Sequence, residues 1–81
     1  MDEEYLQWHT GLRFERPEVK YRPFVESNTT GERRYAAELY DHRADAAVAA
    51  SEFLDALREG RASHIAHDDL PHQDADHEAL A

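Results

Sequence analysis

Eighty-one residues without a cysteine can supply one compact core and no disulfides, so stability must come from packing, a partner subunit or a bound ion. The formal charge of -9, from 18 acidic and 9 basic side chains, opposes nonspecific binding to nucleic acid or to an anionic membrane. No apolar run approaches the ~18 residues of a bilayer span, and Met1-Asp2-Glu3-Glu4 is acidic where a secretion signal would be basic, so a cytoplasmic protein with no membrane contact is expected.

Taken in chain order, Leu12-Arg13-Phe14-Glu15-Arg16 alternates apolar and charged residues and predicts a half-buried strand that Pro17 ends. Glu4 to His9 can extend this strand backwards, with a bulge or kink allowed at Gly11. A second strand carries Val19, Tyr21 and Val25 on one face and Lys20, Arg22 and Phe24 on the other, and Pro23 restricts it to a sheet edge or a bulge. The two strands form a hairpin around Pro17.

The polar cluster Ser27-Asn28-Thr29-Thr30-Gly31 predicts a turn. A third strand then alternates Arg33, Tyr35, Ala37 and Leu39 with Arg34, Ala36, Glu38 and Tyr40. Asp41 is the expected N-cap of a helix from His42 to Glu59, closed by Gly60 in the left-handed conformation. At 100° per residue, Ala46, Ala50, Phe53, Leu54 and Leu57 share one stripe of this helix, and Asp45, Glu52, Asp55 and Glu59 share the opposite side.

This order predicts an α+β domain over residues 1–60: a three-stranded antiparallel sheet whose inner face receives one C-terminal helix, βββα. Its core is expected at Leu12, Phe14, Val19, Tyr21, Val25, Tyr35, Ala37, Leu39 and the apolar helix stripe. Residues 61–81 are rich in His and Asp and poor in large apolar groups, the composition of a disordered or loosely held tail. A short helix over 73–80 is the alternative for its end.

Charge is distributed unevenly. Residues 1–34 carry seven carboxylates and six basic groups, a net -1, and residues 35–81 carry eleven carboxylates and three arginines, a net -8. Eight arginines against the single Lys20 fit either a halophilic cytoplasm, where carboxylates hold surface water, or a GC-rich genome that favours arginine codons.

Chemistry is sparse. Ser27, Ser51 and Ser63 lie in no nucleophile motif, and Gly11, Gly31 and Gly60 are too widely spaced for a phosphate loop, so no catalysis and no cofactor are expected. His9 and His42 read as neutral surface histidines, and Asn28-Thr29-Thr30 as turn chemistry. In the tail, His64, His67, His72 and His77 stand among five carboxylates, ligand types suited to transition metals but without a rigid frame, so metal binding by the tail is one alternative function.

On the sheet face away from the helix, Arg13, Lys20, Arg22 and Arg34 are expected to project beside Phe24 and Tyr40. Cations interleaved with aromatics suit a nucleic-acid backbone or an acidic partner, whereas pairing with Glu15 and Glu38 would leave an ordinary mixed surface. Through Arg34-Tyr35-Ala36-Ala37, Leu39-Tyr40-Asp41 and the alanine-rich 44–50 segment, the layout resembles AP2-type and integrase arm-binding domains, which implies a sheet set into a DNA groove with a helix behind it. The bipolar charge makes a regulatory protein-interaction module, working through a protein partner or self-association, the first expectation, and DNA binding by the sheet the second.

Overall fold

The computed structural model describes residues 5–15, 20–66 and 70, and the backbone of 76–79. The elements are β1 (Trp8–Glu15), β2 (Lys20–Ser27), β3 (Arg33–Tyr35), α1 (Arg43–Arg58), β4 (Ile65–Ala66) and β5 (Asp76–Ala79). They form an antiparallel sheet of order β4-β3-β2-β1-β5, with α1 across one face of β1 and β2. The small α+β fold is the expected one, but the sheet is wider than three strands. Ile65 and Ala66 pair with Tyr35 and Arg34, and the 76–79 backbone pairs with Phe14 back to Gly11.

β1 and β2 make an unbroken antiparallel ladder from Trp8↔Ser27 to Glu15↔Lys20, the pairing a hairpin requires, and Gly11 introduces no bulge; Pro17 itself lies outside the described residues. At the far end, Ser27 builds the turn. Its Oγ accepts the backbone N–H groups of Thr29 and Thr30, its carbonyl accepts Gly31 N–H at 3.1 Å, and Gly31 takes φ 76°.

β2 lies in the interior of the sheet, which corrects the edge position expected from Pro23. Proline can accept but not donate, and Ala36 N–H does donate to Pro23 O at 2.9 Å. The return bond to Ala36 O is supplied by the preceding side chain, because Arg22 Nη1 donates to Ala36 O at 2.7 Å and to Ala37 O at 3.1 Å. The guanidinium thus fills the place that the proline leaves vacant in the ladder. Regular pairing stops there: the chain swings out over 37–39 and returns where Tyr40 and Tyr21 exchange backbone bonds of 2.8 and 2.9 Å. The third strand is therefore shorter than expected, and Ala37 and Leu39 are exposed rather than core.

Register decides the faces. Cross-strand partners share a face, so Phe24↔Tyr35 and Val25↔Arg34 set Tyr35 opposite the helix and Arg34 beneath it. Both are corrections to the expected alternation. Tyr35, fully buried, packs with Phe24 and Leu70 on the far face, with Ile65 against them. On the helix face, Trp8 and Val25 pack with Tyr5, Phe53, Leu54 and Leu57, while Leu12 meets Ala46 and Ala50 beside half-buried Tyr21 and Tyr40. Each large apolar side chain so buried contributes about 1.5–3 kcal/mol, against the entropy of ordering it. The alanines let α1 approach the sheet closely.

The apolar stripe of α1 is the expected one, and Val19 lies outside the described residues. The N-cap is His42, extended and without a side-chain cap bond, rather than Asp41. Asp41 is engaged elsewhere, accepting from Lys20 Nζ at 2.6 Å. At the other end Gly60, φ 69°, closes the helix: Gly60 N–H donates to Leu57 O and Arg61 N–H to Ala56 O, the double bond pattern of a Schellman cap.

Candidate functional site

The sheet face away from α1 carries Arg13, Lys20, Arg22 and Phe24, as alternation predicts. Their side chains are bound into the fold. Arg13 is 4% exposed, lies 5.7 Å from the Tyr35 ring centroid, and pairs with Glu15 at 3.6 Å. Glu15 also accepts from Arg22 Nε at 2.8 Å, so one buried carboxylate holds two guanidinium groups. Lys20 is held by Asp41, whose carboxyl the ammonium hydrogen bond and charge keep below the usual carboxylate range. Phe24 is buried against Tyr35 and Leu70, and the Arg33 guanidinium stacks on its ring at 5.1 Å while pairing with Glu26 at 3.3 Å.

Two residues expected beside them are elsewhere. Arg34 lies on the helix side, over the rings of Trp8 and Tyr5 at 5.1 and 5.2 Å, and donates to the Tyr5 hydroxyl and to Glu32. Tyr40 packs against the Leu12, Ala46 and Ala50 cluster, also on the helix side. Arg34 and Tyr40 still share a face, as their spacing predicts, but the pairing of Val25 with Arg34 and of Tyr21 with Tyr40 turns that face toward the helix.

Of the tail histidines, His64 is exposed, His77 stands opposite Arg13 in the β1 and β5 register, and His67 and His72 lie outside the described residues. Among the described residues, no group of three His, Asp or Glu side chains is placed to hold a metal ion. His9 bridges two neighbours, Asn28 Oδ1 at 2.5 Å and Glu26 at 3.2 Å, which fixes the end of the hairpin.

The carboxylates of the helix stripe, Asp45, Glu52, Asp55 and Glu59, are all exposed. Arg58 reaches Asp55 at 3.6 Å and Arg61 binds Glu59. Next to this stripe is a feature that spacing did not reveal: an open groove of about 630 Å³ between α1 and the 36–40 excursion. Its floor is formed by Pro23, Ala36, Ala49, Phe53, Ala56 and Ala62, buried or half-buried lining residues whose side chains are apolar. Glu38, Glu52 and Asp55 stand at its rim with Arg61, a net charge of -2. Tyr40 lines it too; burial, a hydrogen bond to Glu38 at 3.1 Å, and the charges of Glu38 and Glu52 all push its phenol upward.

The groove exists because small residues face one another. Ala36 and Ala37 leave β3 where Ala49 and Ala56 line the flank of α1, so the backbones approach without side chains to fill the space. The only sequence signal for it was the same alanine richness that spoke for close helix packing. Arg22, through its bonds to Ala36 O and Ala37 O, holds the groove wall in place.

No protein-family model, no curated protein and no solved structure matches this chain.

Proposed function

We propose that this protein is a non-catalytic interaction module that presents the acidic side of α1 to a basic segment of a partner protein. One observation carries the proposal. The exposed carboxylates Asp45, Glu52 and Glu59 line the outer side of the helix, whereas the sheet cations Arg13, Lys20 and Arg22 are paired within the fold. A DNA-binding sheet needs its cations on phosphates. Here the same groups hold the strands together, and Leu70 covers the aromatics between them.

The acid-rich, lysine-poor composition fits a salt-rich cytoplasm as well as a GC-rich genome, and the binding mode proposed here is one that high salt would tolerate. At ~1 M salt the Debye length is about 3 Å, so only contacts made at close range retain their electrostatic part. No described helix is long and apolar enough to cross a membrane.

Fluorescence anisotropy of labelled Lys/Arg-containing peptides and of labelled duplex DNA, each titrated with the full chain over a range of salt, tests this proposal. Saturable peptide binding that weakens in the D45N/E52Q/E59Q variant is the expected result. Binding of DNA in preference to peptide, lost on replacing Lys20 and Arg22, would favour the sheet instead and refute the proposal.

A further inference from the structure

We infer that the groove between α1 and the 36–40 excursion is a subsite for one long cationic side chain, arginine or lysine, of an extended partner segment. The inference rests on the interaction-module reading and names where on that surface the partner is gripped. Arginine and lysine are apolar along their stems and charged only at their heads. The groove has the complementary division, with Ala36, Ala49 and Ala56 along its floor and Glu38, Glu52 and Asp55 at its rim.

Size, charge and screening each bear on the choice of occupant. A volume of about 630 Å³ exceeds one side chain and suits a few residues of extended peptide. An anionic ligand is opposed by the net -2 of the rim, and a wholly apolar one would strand Glu52, which has no ion pair among the described residues. A carboxylate at the mouth of an apolar slot is partly desolvated on binding, and such a pair survives salt that screens the open stripe. Among the described lining residues Arg61 is the one cation, and it is paired with Glu59. Tyr40, which also lines the groove, already donates its phenol to Glu38 at 3.1 Å, so one of the lining carboxylates is anchored in place.

The probe is acetyl-Ala-Leu-Arg-Ala-amide, titrated into the isotope-labelled full chain and followed by backbone amide shifts, beside the citrulline peptide, which keeps the shape but loses the charge and exchanges one donor nitrogen for an acceptor oxygen. The expected result is that amide shifts cluster at 36–38, 49, 52 and 56, and that citrulline binds about tenfold more weakly, the loss of one charge-assisted contact. Ala49→Trp, which fills the floor from a half-buried helix position, should lower affinity by about tenfold or more. Ser51→Ala, at an exposed position of α1 outside the groove lining, should change it less than about twofold. Ala56→Trp serves as a second filled variant if Ala49→Trp perturbs the fold.

Distinct failures have distinct meanings. If the peptide binds but shifts track Asp45 and Glu59, and neither filled variant weakens it, the groove inference is wrong while the interaction module stands. If no peptide binds and duplex DNA does, the module reading falls, and the groove with it. Equal affinity for the citrulline peptide would overturn the cationic occupant, and tighter binding of spermidine than of the peptide would replace the protein segment with a free polyamine.

Discussion

Replacing Arg22 by methionine tests the unusual way in which β2 is kept in the sheet interior. Methionine keeps the apolar stem and removes three bonds: Nε to Glu15 at 2.8 Å, and Nη1 to Ala36 O and Ala37 O at 2.7 and 3.1 Å. The site is nearly closed to water, with the Arg22 and Glu15 side chains 12% and 11% exposed. Breaking a buried ion pair costs about 3–5 kcal/mol, and the lower end applies here because Glu15 keeps Arg13 at 3.6 Å. Three net hydrogen bonds at about 1 kcal/mol each give the same figure, about 3 kcal/mol. For a domain of this size that lowers Tm by about 12–24 °C. Thermal and denaturant unfolding can be followed by the fluorescence of Trp8, the single tryptophan, which is buried in the core.

The decisive measurement is a double-mutant cycle with Pro23→Ala. Alanine restores an N–H at the vacant ladder position, so it can donate to Ala36 O when Arg22 is absent, and the R22M cost should fall by about 1 kcal/mol in that background. The entropy that proline removes from the unfolded chain cancels in the cycle. A loss below about 1 kcal/mol for R22M, or a coupling energy of zero, would show that the guanidinium does not substitute for the missing donor.

Four further outcomes follow from the same geometry. Leu70→Ala should destabilise the fold by about 2–4 kcal/mol by uncovering Phe24 and Tyr35, and a change within about 0.5 kcal/mol on thermal unfolding would mean that the cover is dispensable. Gly60→Ala should cost about 1–2 kcal/mol in Tm-derived stability, all of it from the left-handed backbone, because nothing lies within 4 Å of the added methyl. The Tyr40 phenol, raised by burial first and then by Glu38 and Glu52, keeps its contribution to stability below the ordinary phenol value and loses it as pH rises through the higher folded value. Absorbance at ~295 nm, assigned with Tyr40→Phe, should show that titration move down in Glu38→Gln. Asp41, lowered by Lys20, contributes above the ordinary carboxylate value of about 3.9 and loses that contribution as pH falls through its lower folded value; Lys20→Met should remove this segment of the acid stability profile.

The helix was legible in the sequence down to its buried positions, because a 3.6-residue period summed over four turns repeats the same signal and Gly60 ends it by a backbone preference that no neighbour alters. The Ser27 to Gly31 turn was legible for the same reason, since side chain and backbone bond within four residues. The antiparallel pairing of β1 with β2 and the inner positions Leu12 and Val25 also came from local alternation. What spacing could not supply was the relation between strands. One register choice, Phe24 against Tyr35, moves Tyr35 and Arg34 to opposite faces from those expected, because a period of two turns every side chain over with a shift of one residue.

The position of β2 was decided in the same way. Pro23 argued for an edge only while its missing donor was counted alone; the tertiary fold brings Arg22, one residue earlier, onto the carbonyl left without a partner. The outer sheet face shows the limit most plainly. Residue types and alternation correctly set Arg13, Lys20, Arg22 and Phe24 on one surface, yet whether a cation is offered to a ligand or used within the fold depends on what stands across from it. Glu15, Asp41 and Leu70 come from other parts of the chain. Composition fixed how much acid the protein carries, and only tertiary packing, by pairing most of the cations on the sheet, left that acid on the helix side beside an apolar groove.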